Sequence, residues 1–148
     1  MLSRVLAAVA LSLVALVAAP AQAATPSQTY QRQIMAATNQ IRADHDLPEF
    51  KRQQCVQRFA VRQAARMARQ ERMFHQDLGP VLSECGLTMA GENVAYGFPN
   101  GTAVVRRGWM RSEGHRANIL NPRFRLLGAG ARQADNGQWY AAQVFGRP

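Results

Sequence analysis

The sequence predicts an α+β domain in which helices and a small sheet lie in layers. Three observations predict it: helical spacing of apolar residues through the first half of the mature chain, an extended segment "ENVAY", and two apolar runs flanking the hairpin signal "ADNG". No internal repeat, low-complexity tract or second domain is visible.

The 148-residue chain opens on a basic start, "MLSR", then an apolar run from Val5 to Ala19 and small residues "AQA" at 21–23. This is the pattern of a cleaved secretion signal over residues 1–23, with a secreted, extracellular or periplasmic destination. The run is short for a membrane span, which takes about 20 apolar residues, and no second run follows, so no transmembrane segment is expected after cleavage. What remains is the length of one domain. Residues 24–30 are mostly small and polar and read as a flexible N-terminus, which places the folded domain at 31–148.

Tyr30, Ile34, Ala37 and Ile41 recur on one helical face, and that helix is expected to end near "DHDLP", where His45 reads as a solvated residue. A second helix is expected from about Arg52 to Met73, with Val56, Phe59, Ala60, Ala64, Met67 and Ala68 as its buried stripe. Arg58, Arg62, Arg66 and Arg69 form a basic ridge on another face of it, either a solvated surface or a dock for an anionic partner. After "FHQD" the glycines and Pro80 predict loop with one short helix at Val81 to Cys85, and "ENVAY" then predicts a strand. "FPNG" marks a turn, with Thr102 placed to cap a helix that turns Val105 and Trp109 inward. In the final hairpin Gly128 and Gly130 share one strand face, where something packs closely, and Trp139, Gln143 and Phe145 share a face of the returning strand.

The formal charge is +9, from 18 Lys and Arg against 9 Asp and Glu, and Lys51 is the single lysine. Such a charge favours anionic partners. Nucleic acid is not expected, because the chain reads as exported and shows no basic stretch interleaved with aromatics. Cys55 and Cys85 are the two cysteines; in an oxidising compartment one disulfide is the economical reading, and two buried thiols the other.

Apart from His45, the groups able to ligate a divalent ion or move protons near neutral pH are His75 and His115, with Glu92 and Glu113 the nearest acids. They stand far apart in sequence, and only the fold brings them together.

"FHQD", "GENVAYG", "WMRSEGHRANILNPRFRLLGAG" and "WYAAQVFG", in that order, resemble the motifs of the CAP superfamily of cysteine-rich secretory proteins, antigen 5 and pathogenesis-related proteins, and most closely its bacterial SCP-like extracellular branch. Asn39 and Arg42 of "NQIR" and the stretch "AARMA" agree with its first two helices. The resemblance implies an α-β-α sandwich, with a small central antiparallel sheet between helices and a cleft holding two histidines and two glutamates able to bind zinc or another divalent cation. His75, Glu92 and His115 match three of those four. The fourth position is Ser112, with Glu113 one step further on. Gly114 is expected to turn the chain sharply and deliver His115 into the cleft.

Three functions follow as expectations. The first is a secreted binding module for lipid, glycan or peptide at or outside the cell envelope. The second is a divalent-metal-dependent hydrolase, with His75 and His115 holding the ion and Glu92 as general base. The third is a scaffold whose arginine ridge docks on an anionic envelope polymer.

Overall fold

The computed structural model describes residues 22–148, so the secretion signal expected over 1–23 lies, but for its last two residues, outside them. Helix α1 spans Pro26–Ala43. It begins earlier than expected, taking in residues 26–30 of the segment read from the sequence as a flexible start. Thr25 accepts a hydrogen bond from the Gln28 backbone at 3.2 Å, and the Gln28 side chain accepts one back from the Thr25 N–H at 2.8 Å. This reciprocal cap, with Pro26 pre-set at the first helical position, starts the helix among small polar residues.

Helix α2 spans Gln54–Gln70, shorter than the expected 52–73 at both ends. Lys51–Arg52 form the short strand β1 instead, and Glu71 closes the helix in the left-handed region at φ 46°. Helix α3, Gly79–Cys85, strand β2, Met89–Tyr96, and the hairpin strands β3, Leu126–Gln133, and β4, Trp139–Arg147, follow the expected order. The sheet order is β1-β3-β4-β2; β1 runs parallel to β3, and the other pairs are antiparallel.

Between β2 and β3 the chain is helical in pieces. Helix α4, Gly101–Ala103, widens into a π turn at Val104–Gly108 and tightens into a 3-10 turn at Trp109–Arg111, and α5 covers Glu113–Ile119. The cap of α4 is Asn100, whose side chain accepts from the Ala103 N–H at 2.8 Å, so Thr102 is not the cap. Trp109 is buried as expected and donates its indole N–H to the Val94 carbonyl at 3.1 Å.

Strand alternation sorts the core into two layers. On one side Leu127, Ala129, Ala131, Ala141 and Phe145 pack with Tyr30, Ile34, Phe50, Trp109 and Phe124; on the other, Val144 and Ala142 pack in clusters with Val56, Ala60 and Met67 of α2. The sheet is therefore covered by α1 and the α4–α5 segment on one face and by α2 on the other. What packs closely on Gly128 and Gly130 is the backbone of α2 itself, at the Val56 and Ala60 carbonyls.

Cys55 and Cys85 form a disulfide across a sequence separation of 30, tying the start of α2 to the end of α3. On the chain-entropy account such a loop stabilises the fold by about 3.5 kcal/mol. A Cys55→Ala, Cys85→Ala variant is expected to lose about that much in urea unfolding, and an unchanged midpoint would contradict it.

Candidate polar centre between strand β2 and helix α5

Phe74 to Gln76 follow α2 and run beside β2. There His75 Nδ1 lies 2.8 Å from Glu92 Oε1, and the Gln76 backbone N–H donates to the same oxygen at 3.1 Å. The Gln76 side-chain amide donates to the other carboxylate oxygen. The Glu92 side chain is 2% exposed whereas that of His75 is 60% exposed. Carboxylate oxygens this buried need hydrogen-bond donors, and here the 75–76 segment supplies them. Glu92 thereby pins that segment to β2.

His115 sits in the first turn of α5, close enough to His75 that a charge there disfavours one on His115. Beneath it lies a chain of buried amides that the sequence did not reveal. Thr38 accepts from Gln143 at 2.7 Å; Asn93 donates to the Gln143 side chain at 3.0 Å and to the His115 carbonyl at 3.1 Å. Asn118 of α5 donates to Asn93 at 2.9 Å and to the Glu92 carbonyl at 3.2 Å. The amides join α1, β4, β2 and α5 through one interior network, whose members are each satisfied by another. Gln143 was legible as a polar residue on an apolar strand face; its partners were not.

The remaining expected members do not join. Glu113 is exposed at the start of α5, and Ser112 makes no side-chain cap bond. The break before α5 falls at Ser112, which is extended at φ −104° and ψ 124°, whereas Gly114 lies inside the helix without a positive φ and makes no sharp turn. Arg116 donates to the Met110 carbonyl at 3.2 Å, holding the preceding turn. Among the described residues no three His, Cys, Asp or Glu side chains converge where a metal ion would be held. Glu92 holds His75 through Nδ1, which leaves the Nε2 of that ring without a hydrogen-bond partner among the described residues. Glu92 is placed as the group that orients His75.

Burial pushes the His115 imidazole below its ordinary pKa of 6.5, and the nearby His75 pushes the same way. A depressed histidine is neutral in the fold while its unfolded counterpart takes up protons first. Stability therefore falls as pH drops through 6.5 and levels off below the folded pKa. An NMR titration is expected to place His115 below 6.5, and His75→Asn to restore only the smaller part of the shift, because burial is the larger cause. A midpoint at or above 6.5 in the native chain would contradict this.

The order of elements, the two-layered sheet and this polar centre can be set beside known proteins. The sequence model of the cysteine-rich secretory protein family, CAP, matches residues 35–145. The chain belongs to that family. This CAP domain is 34% identical over 109 residues to the membrane protein YlbC of Bacillus subtilis, covering 69% of this chain and 31% of YlbC. It is 45% identical over 58 residues to YkwD of the same organism, covering 39% of this chain and 21% of YkwD. The crystal structure of an extracellular protein containing a SCP domain from Bacillus anthracis superposes with a TM-score of 0.74 at 30% identity, covering 86% of this chain and 45% of that one. The CAP domain thus spans less than half the length of each. Family and fold are shared with these longer proteins.

Proposed function

We propose that this CAP domain is a non-enzymatic binding module acting at or outside the cell envelope, with lipid, glycan or peptide as the ligand classes. The observation that carries this reading is the state of Glu92: both its oxygens are engaged by His75 and Gln76, so the acid braces the fold instead of waiting for a substrate or a metal-bound water. The location is supported by the extracellular relative from Bacillus anthracis. No helix among the described residues is long and apolar enough to cross a membrane. The net charge of +9 suits anionic envelope material.

The hydrolase reading has one observation in its favour, the neighbouring imidazoles, of which His115 is held neutral. The two readings separate in an assay of ester, peptide and glycoside probes with zinc supplied, comparing the native domain with a His75→Ala, His115→Ala variant. The binding-module reading expects no turnover above background from either protein. Zinc-dependent turnover lost in the variant would overturn it.

A further inference from the structure

The arginine ridge of α2 is not uniform. Arg62, Arg66 and Arg69 line a groove of about 330 Å³ closed on its far side by Gln76 and Pro80, whereas Arg58 stands outside it. Positions separated by four and then three residues share a helix face and span about 10 Å along it.

Two of the three guanidinium groups are positioned by the protein. Arg66 donates to the buried Gln63 side chain at 2.6 Å, and Gln63 is itself fixed by the Phe74 carbonyl. Arg62 lies over the Phe59 ring, 4.5 Å from its centroid. Yet no carboxylate neutralises them, since the ion pair recorded among the described residues is His75–Glu92. Asp77, the acid on the groove wall, accepts from the Gly79 N–H at 2.9 Å and forms no bridge to the arginines. Three guanidinium groups without a carboxylate partner along one concave wall make a surface that suits planar carboxylate or phosphate groups.

We propose that this groove binds an anionic polysaccharide segment through its carboxylate or phosphate groups. The proposal rests on the binding-module reading and names its site and ligand class. The volume lies at the low end of ligand pockets, the size of a short sugar segment. A membrane surface is disfavoured because the apolar face of α2 is spent on the sheet, and Val61, Met73 and Tyr96, the large exposed apolar residues, do not line the groove. A single-stranded nucleic acid lacks a stacking platform there, the Phe59 ring being buried and covered by Arg62.

The test titrates a polyuronate oligosaccharide, at physiological salt, into the native chain and two charge-matched variants. The groove variant is Arg62→Ala, Arg66→Ala, Arg69→Ala; the control is Arg106→Ala, Arg107→Ala, Arg111→Ala, whose arginines are exposed elsewhere. The groove variant is expected to bind at least about tenfold more weakly and the control to stay within about twofold of native. Arg66→Lys guards against misfolding of the triple variant, keeping the charge but losing the fork, and is expected to weaken binding severalfold. Amide shifts on binding should centre on α2 and residues 76–80. Equal weakening of both triple variants, tighter binding to anionic vesicles or single-stranded DNA, or no binding by the native chain would each overturn the groove. Shifts centred on another surface would overturn the groove and leave the binding-module reading standing; that reading falls by the turnover assay.

Discussion

Arg42→Ala is expected to lower the unfolding free energy by about 3–5 kcal/mol, among the largest losses any single substitution in this domain should cause. Arg42 is fully buried and has no carboxylate partner. Its guanidinium instead donates to the Pro48 carbonyl at 2.8 Å, the Ile119 carbonyl at 2.8 Å and the Asn121 carbonyl at 3.1 Å, and stacks 3.8 Å from the Phe50 centroid. Burial and the neighbouring Arg125 both lower its pKa, so the charge is costly to keep inside. Its Nε and Nη1 tie the end of α5 to the loop after α1, while Nη2 is buried without a hydrogen-bond partner. Truncation leaves those acceptors unpaired and opens a cavity beside Phe50. Arg42→Lys should also destabilise, because one ammonium cannot span three separated carbonyls. Urea unfolding reads both variants, and a loss below about 1 kcal/mol for Arg42→Ala would contradict this account.

The second large effect is expected at Gly130. A Cβ there runs into the Ala60 carbonyl and the Val61 N–H, which belong to helix backbone and have no rotamer to yield. Gly130→Ala must lift α2 from the sheet, loosening the layer of Val56, Ala60 and Val144, and is expected to cost about 3 kcal/mol. Gly114→Ala is the control. It lies in a helix with no neighbour near the added methyl, and should be neutral or stabilising by up to about 1 kcal/mol. Similar losses at both glycines would show that close approach of α2 is not what selects glycine at 130.

Much of this fold was legible because apolar periodicity reports burial directly. Ile34, Ile41, Val56 and Met67 were placed on inward faces by spacing alone and lie at the core. The Asn136–Gly137 turn was legible because the chain must take a positive φ there, and Gly137 has φ 82°. The start of α1 was missed although its signal was present, since Thr25 and Gln28 stand three apart in a capping box around Pro26. The π turn at Val104–Gly108 left no mark, because it changes the hydrogen-bond partner without changing which residues are apolar.

The candidate centre was legible in its charged members and obscure in its neutral ones. Histidine and glutamate draw attention in any sequence, and the motifs that carry the family resemblance contain His75, Glu92 and His115. Gln76, Asn93, Asn118 and Gln143 have no spacing signature, since each partner comes from another element. Those amides decide what the charged residues do. With Gln76 on one oxygen of Glu92 and His75 on the other, the acid ties the 75–76 segment to β2, while Arg62, Arg66 and Arg69 line the groove along α2.

The most direct test of that brace is calorimetric titration of the folded domain with zinc, beside the His75→Ala, His115→Ala variant at equal folded content. The account predicts no saturating one-to-one isotherm for the native domain and the same weak heats for both proteins. One-to-one binding that disappears in the variant would contradict it, making the centre a metal site in which Glu92 orients His75.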